Sequence, residues 1–244
     1  MYITFLILLF IFMLAFPIAS ALKEKKSKDV VRKEKIRRIK YHKTIALMWT
    51  PAIVVLIMSF IGGISLADIG FRGINFNHNT WFTAITLAIC GLMFVHSLYT
   101  LIFSLTSKKF REKKKAEIVD DDVASAIFPR TKKEKCLFAI MALSSGICEE
   151  LVYRGFAAFL LQAIFPEIPI LLIVLIPNML FGIGHLYQGW QGVIETVVVG
   201  AIFMCLLLAT GSLILPMALH FMIELSNTFL LSEEKDNKQD ETSI

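Results

Sequence analysis

Glu149, Glu150 and Arg154 stand in a stretch, Cys136–Phe165, that is otherwise almost uniformly apolar. A charge at membrane depth costs about 2.5–3.5 kcal/mol on insertion scales, and chains keep such groups where they face a protein interior or a wet cavity. Residues four apart share a helix face, so Glu150 and Arg154 are spaced to form an internal ion pair. Glu149 is turned about 100° from Glu150 and is expected to point elsewhere. A carboxyl group in poorly hydrated surroundings suits general acid or base work. The 13 steps from Cys136 to Glu149 cover about 20 Å of helix, which would carry Glu149 well below a membrane surface.

Two histidine segments extend the set. In Phe181-Gly182-Ile183-Gly184-His185 the aromatic ring and the imidazole are again four apart, and the glycines let a neighbouring helix come close. His220, Glu224 and Asn227 share one face of the last apolar run, which follows a predicted tight turn at Thr210-Gly211-Ser212. Taken singly, each feature has a plain reading. Buried ion pairs also fix helix packing, and a buried histidine is most often a hydrogen-bonded core residue. Two acids, an arginine and two histidines on three separate apolar segments are an expensive scaffold, and the set points to chemistry. Glu195 fits no pair. His96 reads as structural, and His42 and His78 as solvated segment ends.

The elements that must position these groups are membrane helices. Of the 244 residues 56% are hydrophobic and 18% charged, against nearer half and a quarter in ordinary soluble domains. Seven runs approach the 20 or so apolar residues that a span needs: Tyr2–Leu22, Thr44–Leu66, Trp81–Leu105, Cys136–Phe165, Ile168–Leu186, Trp190–Leu208 and Ser212–Leu231. The predicted fold is an all-α polytopic bundle of about seven transmembrane helices. The net charge of +5 gathers in Lys23–Lys43 and Lys108–Lys135, while Arg154 is the only Lys or Arg between Cys136 and Leu231. Basic clusters beside apolar runs are topology signals, with a secondary pull toward anionic headgroups, and not nucleic-acid readers. Tyr2–Leu22 has no Lys or Arg before it and a basic stretch after it, the reverse of a cleaved signal. It is read as a retained helix, which puts both basic segments and the C-terminus in the cytoplasm and the loop Ala67–Thr80 outside. The organisation expected is N-terminal helices with a basic loop (1–106), a cytoplasmic linker (107–135), a core holding the chemistry (136–231) and a polar tail (232–244). The four cysteines show no metal-type spacing and imply no disulfide framework.

Glu149-Glu150-Leu151-Val152-Tyr153-Arg154 resembles the EExxxR motif of the CAAX protease and bacteriocin-processing membrane proteins. Phe181–His185 resembles that family's FxxxH motif, and His220 the histidine of its HxxxN or HxxxD motif. The resemblance covers roughly Cys136 to Leu231. Glu224 stands where the family has Asn or Asp, and Asn227 lies one turn further on. The resemblance implies intramembrane peptide hydrolysis of a membrane-bound, prenylated or otherwise lipid-associated peptide. It makes Glu149, Glu150, Arg154, His185, His220 and Glu224 the candidate catalytic set. Two mechanisms fit these residues. Glu149 and His185 activate a water while His220 stabilises the oxyanion, or His185, His220 and Glu149 hold Zn²⁺, two His and one Glu being a known catalytic set. The paired histidines common on one element in zinc sites are missing, so the metal-free route is the expectation. Two other functions compete. A proton-coupled transporter would favour broken helices and an inverted repeat, and neither is visible. A non-catalytic immunity or partner protein of the same fold is kept open by Glu224.

Overall fold

A computed structural model describes residues 34–76, 79–118 and 129–230. The run Tyr2–Leu22, His78, Asp120–Asp122 and the polar tail lie outside the described residues. No strand occurs among the described residues, and each of the other six apolar runs becomes a helix. In chain order these are α1 (Glu34–Ile61), α2 (Thr80–Thr106), α3 (Lys108–Ile118), α4 (Lys132–Glu149), a π-helical segment (Glu150–Phe156), α5 (Ala157–Ile164), α6 (Ile170–Gly184), α7 (Gly189–Thr210) and α8 (Ile214–Leu230). Four stretches are long and apolar enough to cross a membrane: Ile36–Ile61, Thr80–Thr106, Lys132–Ile164 and Leu186–Thr210. Ile170–Gly184 is a shorter apolar helix. The molecule is a membrane helical bundle, as the composition predicts.

The α4 helix is the axle. It packs on α1 along one side and α8 along another, while α8 also lies on α2, and α6 lies on α7. Its start is fixed by a capping box: Glu134 N–H donates to Thr131 Oγ1 at 3.3 Å, and Thr131 N–H donates back to Glu134 Oε2 at 3.0 Å. Glycine sets how closely α8 approaches. A Cβ at Gly146 would meet the Met217 carbonyl oxygen at 3.0 Å and the Phe221 nitrogen at 3.1 Å.

Two features depart from the sequence reading. The run Cys136–Phe165 reads as one regular helix, but its middle is π-helical, with Ala157 N–H donating to Val152 O five residues back. The π turn inserts an extra residue into the ladder, a device that recurs at functional sites. It falls on the stretch whose side chains are most buried: Glu150, Leu151, Val152, Arg154, Gly155 and Phe156. The second departure is the connection after α1, of which the sequence says only that the loop Ala67–Thr80 lies outside. It straps the turn before α8. Leu213 N–H donates to Gly70 O at 2.9 Å, Asn75 N–H to Thr210 O at 2.8 Å, and Ser212 Oγ to Arg72 O at 2.6 Å. Ile69 on this strap is buried against Ala52, Val55, Leu151, Val152 and Phe156, and its carbonyl covers Gly155 so closely that a Cβ there would overlap it. The predicted turn at Thr210–Ser212 is present, with Gly211 at φ +63°, the left-handed region that favours glycine.

Candidate active site

The ion pair forms as the spacing predicts. Arg154 Nη1 donates to Glu150 Oε1 at 3.1 Å, and both side chains are 0% exposed. The arginine is enclosed by rings, its guanidinium carbon 4.1 Å from the Phe181 centroid and 5.8 Å from that of Phe203. A cation over aromatic faces regains part of what desolvation costs. Its inner edge approaches Gly200 on α7, where a Cβ would overlap both Arg154 Nη2 and Asn178 Oδ1. Asn178 is fully buried and donates Nδ2–H to Val174 O at 2.6 Å. Neither Asn178 nor Gly200 carries a signal in the sequence beyond lying on an apolar run.

Glu150 also grips the last helix. His220 Nδ1–H donates to the same Oε1 at 2.8 Å. The other face of the ring nitrogen pair looks at Glu149, whose Oε2 lies 3.7 Å from His220 Nε2. Consecutive carboxylates therefore flank the two nitrogens of a single imidazole. In a regular α-helix they would diverge by about 100°; here they sit where α4 gives way to the π segment. Ser145, one turn before Glu149, completes this side with its Oγ 3.4 Å from Nε2. The sequence reading passed over Ser145, although its four-residue spacing from Glu149 puts it on the same face.

His185 ends α6. Its Nδ1–H donates to Phe181 O at 2.9 Å, which leaves Nε2 of the neutral ring as the acceptor. Phe181 joins the two motifs: its ring lies 4.6 Å from His185, 6.5 Å from His220 and 5.0 Å from Tyr153, centroid to centroid. Glu224 is half-buried and within electrostatic reach of His220, Glu149 and His185. All six candidate residues thus lie around one locality. Asn227 is not among them; it is exposed and lines a separate hollow of about 600 Å³ with His96, Lys114 and Val199. Glu195 accepts from Gln191 Nε2 at 2.9 Å near the exposed start of α7.

Each histidine has one nitrogen tied to a carboxylate or carbonyl oxygen, the outer-shell pattern of metal-ligating imidazoles. The donors themselves are not gathered. Among the described residues no group of three or more His, Cys, Asp or Glu side chains is arranged to hold a metal ion, and His185, His220 and Glu149 do not fit one as they stand.

Residues 132–226 match the model of a protein family, type II CAAX prenyl endopeptidase Rce1-like. The match covers 95 of the 244 residues. The match runs from the first turn of α4 almost to the end of α8 and includes all six candidate residues. It agrees with the resemblance carried by the three motifs: this stretch is similar to type II CAAX prenyl endopeptidases. No curated protein and no solved structure matches the chain.

Proposed function

We propose that this protein is an intramembrane endopeptidase that hydrolyses a peptide bond of a membrane-associated peptide with water activated by Glu149 and His185. The observation that carries the reading is His220, held by Glu150 at 2.8 Å through one nitrogen and turned toward Glu149 at 3.7 Å through the other. The Rce1-like match supports the reaction class.

In this mechanism the Glu149 carboxylate takes a proton from a water whose second hydrogen is accepted by His185 Nε2. The water oxygen adds to the carbonyl carbon and the carbonyl π pair moves to oxygen. The imidazole of His220 carries both protons, giving Nδ1–H to Glu150 and Nε2–H to the new oxyanion. Collapse of the tetrahedral intermediate re-forms the carbonyl and breaks the C–N bond, and Glu149 returns its proton to the leaving nitrogen. Arg154 balances the charge of Glu150, so Glu150 is a positioning residue for His220. The substrate belongs to the prenylated or otherwise lipid-anchored peptides, which present a cleavable bond at the bilayer.

The test is cleavage of an internally quenched farnesylated peptide by the purified protein in lipid nanodiscs. Glu149→Ala is expected to lower the rate by about 10²–10⁴-fold, the usual worth of a general base, with an unchanged melting temperature. His185→Ala and His220→Ala are expected to behave alike, and a chelator to leave the rate unchanged. Normal cleavage by the Glu149→Ala protein would remove the role assigned to that carboxylate.

A further inference from the structure

We infer that Ser145 is a catalytic residue, the second hydrogen-bond donor to the oxyanion beside His220. The inference rests on the endopeptidase reading. A tetrahedral oxyanion held in a low-dielectric site normally meets at least one preorganised donor besides the first, each at about 2.7–3.1 Å. The groups around His220 are mostly the wrong kind. Glu149 and Glu224 accept hydrogen bonds when ionised, and an ionised Glu224 would repel a developing negative charge. His185 has given its Nδ1–H to Phe181 O and offers only a lone pair at Nε2. The Ser145 hydroxyl, 3.4 Å from His220 Nε2, is placed to donate beside it.

Their geometry fits one acceptor. Ser145 Oγ and His220 Nε2 are 3.4 Å apart, long for a hydrogen bond between them. Two donors at that separation can each lie about 2.8 Å from a single oxygen. Ser145 is buried at 6% exposure, beside Gly146, where α8 comes within contact of the α4 backbone. Glu149 lies one turn further along α4, with Oε2 3.7 Å from the same Nε2. Water-activating carboxylate and both oxyanion donors therefore border one point.

A nucleophilic reading of the same atoms has to be separated. Ser145, His220 and Glu150 stand in the order nucleophile, base and orienting acid. Two features weigh against attack by Ser145. His220 Nε2 also faces the Glu149 carboxylate, which favours a proton on that nitrogen in the working site, and a serine nucleophile would leave the half-buried Glu149 without a task.

The experiment compares wild type, Ser145→Ala, Ser145→Thr and the double variant Ser145→Ala/Glu224→Asn on the farnesylated peptide. Ser145→Ala is expected to lower kcat by about 10²-fold or more at unchanged KM, as loss of one oxyanion donor does. Ser145→Thr, which keeps the hydroxyl, retains most of the rate. The double variant, given a side-chain amide on α8, recovers about tenfold or more of the loss. Wild-type kcat in Ser145→Ala, a loss confined to KM, or no recovery in the double variant would overturn the inference. So would a covalent fluorophosphonate adduct on Ser145, which would make it the nucleophile. Failure of the wild type itself to cleave would count against the endopeptidase reading and not against Ser145 in particular.

Discussion

Glu134 and Glu150 are both fully buried on the same continuous helical stretch and both face an arginine, yet they are built differently. Glu134 has both oxygens engaged. Arg37 Nε donates to Oε1 at 2.8 Å, and the Arg130 and Thr131 amides donate to Oε2 at 2.8 and 3.0 Å. Glu150 puts its arginine and its histidine on one oxygen, while Oε2, Arg154 Nε and Arg154 Nη2 are buried without a hydrogen-bond partner. A saturated buried pair behaves as a fastener, here joining α1 to the base of α4. An undersaturated one is costly in a low-dielectric interior, and its cost is understandable when the pair holds a group that reacts. The seam and the site use the same chemistry for different ends, and the hydrogen-bond inventory distinguishes them.

The largest effect that would break this comparison comes from the arginines. Arg154→Met strands the Glu150 carboxylate, and removing one partner of a buried pair costs about 3–5 kcal/mol. It is expected to lower the melting temperature sharply and to abolish cleavage in whatever fraction stays folded, because His220 loses its anchor. Arg37→Met leaves Glu134 two backbone donors. It is expected to destabilise less and to leave kcat per folded molecule unchanged. Equal losses of kcat in the two variants would mean that the seam and the site are one unit.

A smaller effect sharpens the site side. Gly200→Ala pushes a methyl group against Arg154 Nη2 and Asn178 Oδ1. Overpacking of this kind costs about 1–3 kcal/mol, and here the strain falls on the guanidinium that holds Glu150. Melting temperature and kcat are both expected to drop, by less than in Arg154→Met. Gly91 on α2, where a Cβ would meet nothing within 4 Å, provides the matched control. Gly91→Ala is expected to be neutral in both measurements.

How much of this was legible in the residues follows from their periodicity. The long apolar runs gave the helices because length and hydropathy are local properties, and the four-residue spacing of Glu150 and Arg154 gave their pair. The convergence of Glu149 on His220 was less legible, since an α-helical period turns Glu149 away from Glu150 and nothing local to either residue shows that both reach one ring. Ser145 was hidden for a different reason. A serine in an apolar helix usually bonds its own backbone, and nothing local marks one that faces a histidine 75 positions away. The strap after α1 was unreadable because its backbone bonds reach to the turn before α8, more than a hundred residues on. The expectation of a retained first helix falls on residues outside those described.

The smallest expected effect lies on that strap and concerns pH. Asp68 is exposed, and its carboxylate accepts from Ser65 Oγ at 2.7 Å and from Ser65 N–H at 2.9 Å. These two bonds, the hydroxyl's first, hold the Asp68 carboxyl below its ordinary range. A depressed folded pKa means that the unfolded chain binds the proton more readily. The stabilisation is therefore complete above the unfolded value of about 3.9 and fades as pH falls through the folded one. Acidification should loosen the turn that starts the strap and, with it, the seat of Ile69 on the core. Asp68→Asn is expected to flatten this dependence, so that wild type and variant differ in melting temperature at about pH 6 and converge as pH falls through the lowered folded value. Ser65→Ala should reproduce most of the flattening, because it removes the larger of the two causes. A difference between wild type and Asp68→Asn that stayed constant with pH would show that the strap's anchoring is carried by Arg72, Asn75 and Ser212 alone, with the Ser65–Asp68 turn adding nothing to it.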